Sequence, residues 1–418
     1  MGATTTSKKP PSGAAARLPF ERLLAPIGRE RFLSAHWTRQ GVHLREQGRD
    51  FADIFSWDAL SAVLSAPDIT APEIKMSRSE SPVPHDRFTR DGAHGRVLDK
   101  PAFIELFKDG VSFGITAADS RWAPLGAVRD SLYDALLEEV HTNVYCSPPN
   151  TQGFQCHYDL HEVFVMQIEG QKHWRVFWPT TEAPVQGWRA EDAPEGAEPY
   201  IDVVLDKGDV LYVPRGHWHY AVAQDSISLH VTVGVTCRKG ATFLDWLSNE
   251  LHQQLEWRRN MPRLAAPASA DRFEVPADFG AWVDDLKASL IGALSADDMP
   301  ERFWKATFEG THPVQAFDFP TMAGLDGVAM DTLVFDRPIG RRHAVTARDE
   351  ERLTISAAGC ELEFEAGDGA LIERLFDAES FTFADASAWA PPGNGEEVAE
   401  LLKELVRAGL LDVRRRDR

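Results

Sequence analysis

Between Thr142 and Thr236 apolar and polar residues alternate with a period of two, and turn residues interrupt the alternation at short intervals. A period of two places successive side chains on opposite faces of a strand. The turns include Glu169-Gly170, Lys207-Gly208 and Pro214-Arg215-Gly216. The strands or strand ends predicted from this pattern are 142–146, 155–159, 162–170, 172–178, 201–205, 209–213 and 226–236. Many short strands at such spacing predict an all-β sandwich or barrel.

Helical spacing of apolar residues surrounds this β-rich region, so the class predicted for the whole chain is α+β. The predicted helices are 101–107 and 125–139 before the strands, and 242–257 and 279–294 after them. Near the C-terminus, 353–356 and 361–364 predict paired strands, 395–408 a helix and 409–413 a strand. Residues 1–17 lack the apolar segment of a secretory signal and are predicted to form a disordered leader.

The chain is acidic, with 64 Asp and Glu against 44 Lys and Arg and a net charge of −20. This surplus is either a solvated surface or a field that attracts a cationic partner, such as a basic polypeptide. It argues against nucleic acid as the main ligand, because the phosphates would be repelled. The 4 cysteines lack C-x-x-C spacing, which predicts a reducing, cytoplasmic setting. No apolar window approaches the length of a membrane span, so no membrane partner is expected.

A candidate metal site begins with His157-x-Asp159, because positions two apart in a strand lie on one face. On its own, H-x-D also arises as a hydrogen-bonded pair on a strand. His219 follows Asp159 by 60 positions and supplies a second imidazole. Two imidazoles and one carboxylate can occupy one face of an octahedral ion, leaving three positions for a cosubstrate and oxygen. That arrangement is typical of non-haem Fe(II) oxygenases.

The segment around the third ligand looks like the second cupin motif: a turn, a strand, a further turn and an inward histidine. Ala223 stands where the motif has an asparagine, so the match is incomplete. Four positions of the motif fall in register: Gly208, Pro214, Gly216 and His219.

Three other histidines lie near the predicted ligands. His217 is the rival third ligand, because it lies two positions from His219; motif register favours His219, which would leave His217 at the rim of the site mouth. His161 and His173 are interpreted as exposed or hydrogen-bonded strand residues.

Lys172 shares a strand face with Trp174 and Val176. The rest of that face is apolar, so a lysine buried there needs an anionic partner. The C5 carboxylate of 2-oxoglutarate would supply one. The alternative is a surface lysine that follows a Glu-Gly turn.

These residues together resemble the JmjC core of the ribosomal oxygenases, which are 2-oxoglutarate-dependent hydroxylases of ribosomal-protein side chains. The resemblance implies that His157, Asp159 and His219 bind Fe(II), and that Lys172 binds the distal carboxylate of 2-oxoglutarate. It also implies that Asn143, Tyr145 and Thr232 line the same pocket; otherwise they satisfy ordinary polar groups of the core. The segments that carry it are Asn143-x-Tyr145, His157-Tyr158-Asp159, Glu162-Val163-Phe164, Gln167-x-Glu169-Gly170-x-Lys172-x-Trp174 and His230-Val231-Thr232.

The resemblance further implies a double-stranded β-helix (jelly-roll or cupin) JmjC core, then a helical dimerisation segment and a C-terminal winged-helix-like domain. The domains expected are a leader at 1–17, the catalytic domain at 18–240, the helical segment at 241–310 and the winged-helix-like domain at 311–418. A homodimer is expected from the same resemblance.

The function that follows is hydroxylation of a side chain in a basic polypeptide, with a ribosomal protein as the expected substrate. Three alternatives stay open at this stage. They are a tailoring hydroxylase of a peptide natural product, an N-methyl-lysine demethylase, and a non-catalytic metal-binding cupin. Succinate release would separate the enzymes from the cupin, and the mass change of the substrate would separate hydroxylation from demethylation.

Overall fold

A computed structural model of the chain describes two compact units, with the boundary between Cys237 and Arg238. The predicted leader at 1–17 lies outside the described residues. The structure describes residues 20–416 with the exception of 68, 70, 79–80, 93–94, 188–191, 263–276, 310–318, 339–342, 349–351, 358–359 and 366–368.

The first unit combines short helices near its N-terminus with a large number of strands. Its helices are α1 (Phe20–Leu24), α2 (Arg29–Ala35), α3 (Trp57–Ser65), α4 (Lys100–Lys108) and α5 (Ala123–Leu136). Its strands are β1 (Val42–Leu44), β2 (Ile74–Arg78), β3 (Ser81–Pro82), β4 (Thr89–Gly92), β5 (Gly95–Leu98), β6 (Ser112–Ile115), β7 (Glu139–Ser147), β8 (Glu162–Glu169), β9 (Lys172–Phe177), β10 (Ile201–Leu205), β11 (Val210–Val213), β12 (Trp218–Ala223) and β13 (Ser228–Thr236).

Two antiparallel sheets of this unit pack against each other. Among the described residues the major sheet has the order β1-β11-β8-β13-β7-β6-β2-β3, and the minor sheet has the order β10-β9-β12. Strand β8 is buried on both faces, which explains its almost continuous apolar sequence. Phe164 on one face packs with the N-terminal helices, whereas Val163 and Val165 on the other pack against Trp174 and Val176 of the minor sheet. The space between the sheets therefore contains the inward side chains of both.

Most predicted strands are confirmed, including 142–146, 162–170, 172–178, 201–205, 209–213 and 226–236. The strand predicted at 155–159 is wrong, because only His157 forms a bridge there and the flanking residues are irregular. Strand β12, which carries His219, was not predicted as a strand. The helix predicted at 125–139 ends at Leu136, because Leu137 adopts a left-handed backbone with φ 57° and β7 begins at Glu139.

The second unit is helical at first and then mixed. Its helices are α6 (Gly240–Leu251), α7 (Leu255–Arg258), α8 (Ala277–Leu294), α9 (Met299–Glu309), α10 (Phe319–Ala323), α11 (Gly369–Asp377), α12 (Phe383–Trp389) and α13 (Gly395–Arg407). Its strands are β14 (Leu333–Asp336), β15 (His343–Arg348), β16 (Arg352–Ala357), β17 (Cys360–Glu365), β18 (Ser380–Thr382) and β19 (Asp412–Arg415).

Within the described part of this unit, the sheets have the orders β18-β14-β19 and β15-β16-β17. The predicted pairing of 353–356 with 361–364 is confirmed, as is the helix at 279–294. The single helix predicted at 242–257 is wrong: α6 ends at Leu251 and α7 begins at Leu255, because Gln254 between them has an extended backbone. No helix in the described ranges is both long enough and apolar enough to cross a bilayer.

Candidate metal centre and cosubstrate pocket

The predicted ligands His157, Asp159 and His219 come together at one end of the space between the sheets. The candidate ligand atoms of the three side chains all lie within 4.8 Å of one another. His219 belongs to β12 and faces the same side as Val176, its partner on β9. His157 lies in an irregular segment, but its backbone exchanges two hydrogen bonds with that of His219, at 3.1 and 2.7 Å. This bridge holds the loop and the strand in a fixed register.

Asp159 is fixed by its main chain and its side chain approaches His219. The Gly216 N–H donates to the Asp159 carbonyl oxygen at 2.9 Å, which ties the 157–159 segment to the turn before β12. The Asp159 Oδ2 atom lies 3.6 Å from His219 Nε2. The two side chains are thus close enough to share one ion.

Backbone carbonyls orient both imidazoles. His157 Nδ1 lies 2.7 Å from the Gln155 carbonyl oxygen, and His219 Nδ1 lies 3.0 Å from the His217 carbonyl oxygen. A carbonyl only accepts, so each Nδ1 carries the proton and each Nε2 presents a lone pair. Protein-bound metals commonly use this arrangement, in which the second nitrogen of a ligating histidine donates to an acceptor.

The charge state of the cluster also suits a divalent cation. Burial of His219, together with the neighbouring His157, lowers the pKa of His219 to about 4, so this imidazole is neutral at neutral pH. Burial opposes ionisation of Asp159, but the surrounding histidines, His219 first, outweigh it and lower the pKa of the carboxyl group. A neutral imidazole and an ionised carboxylate are the forms that bind metal. The donor set fits Fe(II) with open positions.

The three other histidines considered in the sequence, His217, His173 and His161, lie in three different environments. His217 is buried rather than at the rim, and a hydrogen bond of 2.7 Å joins its Nδ1 to the Tyr200 hydroxyl. His173 is hydrogen-bonded to Asp202 on the outer face of the minor sheet, as predicted. His161 lies outside the strands and lines the cavity, which the sequence did not predict.

Lys172 lies in the wall of the same cavity, which has a volume of about 120 Å³. The residue is buried, with 4% of its surface exposed, and its Nζ donates to the Ser147 hydroxyl at 2.9 Å. Among the described residues no carboxylate acts on it. Burial therefore lowers the pKa of Lys172 to about 8. The surface-lysine alternative is wrong, because the side chain is buried. An anion that balances the charge of this ammonium would have to enter the cavity.

Asn143, Tyr145 and Thr232 line the cavity together with Lys172. Asn143 and Thr232 are direct partners in the pairing of β7 with β13. The Asn143 Oδ1 accepts a hydrogen bond from the Ala117 N–H at 3.1 Å. Burial raises the pKa of Tyr145 to about 12, so its hydroxyl keeps its proton and can donate.

Sequence reasoning missed two residues that lie behind the lining of the cavity, Ser147 and Gly234, although their spacing carried a signal. Ser147 follows Asn143 and Tyr145 at intervals of two along β7, so all three face the same side. Gly234 follows Thr232 along β13 in the same way. A Cβ atom on Gly234 would lie 2.4 Å from His141 Nε2 and 2.8 Å from His161 Cδ2, so this glycine leaves room for two imidazoles beside Asp159.

The fold and the site define a class: a cupin-like β-sandwich that carries a two-histidine, one-carboxylate cluster and a buried lysine in one cavity. Residues 124–243 match the family model of the JmjC domain. The chain therefore contains a JmjC domain, and it is homologous to the proteins named Ribosomal oxygenase 1 and NO66.

The chain is 31% identical over 264 residues to Ribosomal oxygenase 1 of Bos taurus, covering 60% of this chain and 38% of that protein. It is 33% identical over 264 residues to Ribosomal oxygenase 1 of Gallus gallus, covering 58% and 42%. It is 29% identical over 257 residues to the bifunctional lysine-specific demethylase and histidyl-hydroxylase NO66 of Drosophila persimilis, covering 58% and 36%. The chain thus spans less than half the length of these curated relatives.

Solved structures match over almost the whole chain. The structure of YcfD, a ribosomal oxygenase from Escherichia coli, superposes with a TM-score of 0.56 and 17% identity, covering 92% of this chain and 97% of that chain. YcfD in complex with cobalt and 2-oxoglutarate superposes with a TM-score of 0.55 and 16% identity, over the same shares. At this identity the likeness establishes the fold.

Proposed function

We propose that the protein is an Fe(II)- and 2-oxoglutarate-dependent oxygenase that hydroxylates a side chain of a protein substrate. One observation carries the proposal: a single cavity contains a cluster suited to a divalent cation and a buried lysine suited to a carboxylate. A scaffold without catalytic function has no need of either. The names of the relatives and the cobalt and 2-oxoglutarate complex of YcfD support the same assignment.

In this proposal His157 and His219 bind Fe(II) through Nε2, and Asp159 binds it through its carboxylate. When bound, Fe(II) supplies the oxidative chemistry: 2-oxoglutarate and oxygen give succinate and carbon dioxide, and one oxygen atom enters a substrate C–H bond. The carbonyls of Gln155 and His217 hold the two Nδ1 protons, so the rings stay oriented.

The rest of the cavity binds the cosubstrate and excludes water. Lys172 receives the distal carboxylate, and Ser147 keeps the ammonium pointed into the cavity. Asn143, Tyr145 and Thr232 line the same cavity, and in this proposal they contact the bound 2-oxoglutarate. Apolar side chains between the sheets limit entry of water, and a charge-assisted hydrogen bond is stronger in such surroundings.

The substrate class that we propose is a basic polypeptide, with ribosomal proteins first. The net charge of −20 favours a cationic partner and disfavours nucleic acid. N-methyl-lysine demethylation is a second candidate, because the NO66 relatives are named both lysine-specific demethylase and histidyl-hydroxylase. Tailoring of a peptide natural product would use the same residues on a different substrate.

The test has two parts. Purified protein with Fe(II), 2-oxoglutarate and oxygen should release succinate, whereas Asp159→Ala should not; absence of succinate from the parent protein would leave only a metal-binding cupin. Mass spectrometry of the host's ribosomal proteins, with and without this gene, should then reveal a gain of one oxygen on one of them. A gain of one methylene in the host without the gene would instead indicate demethylation.

We also propose the domain organisation 18–240, 241–310 and 311–418, a homodimer and a cytoplasmic location. The sheet β18-β14-β19 with α11, α12 and α13 supports a winged-helix-like domain.

Large apolar side chains on the helices after the core support a surface for the second copy of the chain, since Leu244, Ile291 and Trp304 are 62%, 63% and 54% exposed. Light scattering of the parent protein and of Ile291→Glu tests the dimer: a monomeric parent would contradict it.

A further inference from the structure

Two polar atoms in the cavity wall have no hydrogen-bond partner among the described residues. They are the indole Nε1 of Trp174 and the imidazole Nδ1 of His230. Both residues are buried, at 6% and 3% exposure, and both line the cavity that contains Lys172. A buried polar atom without a partner costs stability, so two of them in one wall point to a ligand that satisfies them.

Neighbouring rings hold His230 in place. Tyr145 stacks on it at 5.2 Å between ring centroids with 16° between planes, and Trp174 meets it edge-on at 5.6 Å and 84°. The register of β13 against β8 shifts between Leu229 and His230. Such irregularities often occur beside active sites, where they re-aim a side chain. The imidazole therefore lies in a fixed position in the wall.

The charge in this part of the cavity belongs to Lys172. Burial and the nearby Lys172 both lower the pKa of His230, so the imidazole is neutral and carries one N–H. Trp174 offers an indole N–H, and Lys172 still has ammonium protons beyond the one that it gives to Ser147. This end of the cavity therefore presents several donors, and no carboxylate of the described residues acts on Lys172. Such an arrangement suits a carboxylate ligand, which accepts up to about four hydrogen bonds.

We propose that His230 and Trp174 are positioning residues that donate hydrogen bonds to the distal carboxylate of 2-oxoglutarate beside Lys172. They would thereby select 2-oxo acids that carry a second carboxylate. This inference rests on the proposed function, since it takes 2-oxoglutarate as the cosubstrate. Lys172 supplies charge, whereas the two ring N–H groups fix the plane of the carboxylate and so the direction in which the 2-oxo end reaches the metal cluster.

The experiment compares two ligands that differ only at the distal end. The 418-residue chain, loaded with Mn(II), is titrated calorimetrically with 2-oxoglutarate and with 2-oxovalerate, which has a methyl group in place of the distal carboxylate. His230→Phe keeps a ring against Tyr145 but removes both nitrogens, and His230→Asn returns an N–H. Trp174→Phe removes the indole N–H. His173→Phe is the matched control, because His173 lies between Lys172 and Trp174 on the outer face of the sheet.

We expect His230→Phe to weaken binding of 2-oxoglutarate about tenfold, with 2-oxovalerate affinity unchanged. Trp174→Phe should have the same selective effect, His230→Asn should recover part of the loss, and His173→Phe should bind both ligands like the parent.

Loss of affinity for both ligands alike, or full retention of 2-oxoglutarate affinity in His230→Phe and Trp174→Phe, would overturn the positioning role. Failure of the parent protein to bind 2-oxoglutarate would instead overturn the proposed function. Should His230→Phe not fold, as judged by thermal melting, the Trp174→Phe and His230→Asn titrations decide the matter in the same way.

Discussion

The two ends of the cavity differ in how their polar groups are satisfied. At the metal end, the backbone provides partners: His157 and His219 both have Nδ1 bonded to a carbonyl, and their main chains form a bridge. At the other end, Lys172 has one hydroxyl partner, and two ring nitrogens have no partner in the described structure. We infer that the protein itself orients the groups at the metal end, whereas the groups at the lysine end are arranged to be satisfied by the ligand that we propose.

The largest effect is expected at the metal end. Asp159→Ala removes the only carboxylate of the cluster, so two imidazoles remain without an anionic ligand and succinate release should fall to background. Succinate is measured by chromatography, and His173→Ala is the control with an intact cluster. Turnover of 2-oxoglutarate by Asp159→Ala at the parent rate would mean that the metal lies elsewhere.

At the lysine end, function and stability should move in opposite directions. A pKa of Lys172 lowered to about 8 means that keeping this ammonium buried costs about 3 kcal/mol at neutral pH. Lys172→Met should therefore weaken 2-oxoglutarate binding about a hundredfold while raising the free energy of unfolding by about 2 kcal/mol. Calorimetry and urea unfolding check the two halves. A variant that lost stability would argue that the lysine serves the fold.

The affinity for 2-oxoglutarate should depend on pH through Lys172. Below a pKa of about 8 the ammonium is already charged, so the dicarboxylate binds without proton uptake. Above it, binding has to bring a proton, and affinity should fall by up to about tenfold per pH unit. Titrations across this range test the sign, and Lys172→Met should abolish the dependence. An affinity that rises with pH would contradict the assignment.

The smallest effect is expected from Ser147, the hydroxyl that accepts from Lys172. Ser147→Ala removes one neutral acceptor while the charge stays, so 2-oxoglutarate binding should weaken by about threefold. Ser228→Ala is a suitable control, because Ser228 is also buried but accepts from Gln167. A loss as large as that of Lys172→Met would shift the main anchoring role to the hydroxyl.

The sequence allowed prediction of those features that depend on local periodicity. Strands β9 and β13 followed from alternation and turns, and the spacing of His157, Asp159 and His219 predicted the cluster. The segment at 155–159 was misjudged because alternation does not tell whether a neighbouring strand is present to pair with it. His157 finds a single bridge partner, on β12.

Other parts of the site depend on which strands become neighbours, and no local pattern contains that information. Lys172 meets Ser147 across 25 positions of the chain, and His230 stacks on Tyr145 because β13 pairs with β7 in one particular register. Resemblance to the JmjC core pointed to Lys172, Asn143, Tyr145 and Thr232, but it did not identify the partner of the lysine. The orphaned nitrogens of Trp174 and His230 became visible only with the packing of the rings.

A crystal structure of the protein with Mn(II) and 2-oxoglutarate tests the central claim most directly. We predict that the metal binds His157 Nε2, His219 Nε2 and the Asp159 carboxylate, with the distal carboxylate of 2-oxoglutarate against Lys172 Nζ. Metal bound at another set of residues, or a dicarboxylate bound away from Lys172, would contradict the claim that one cavity holds a cation at one end and an anion at the other.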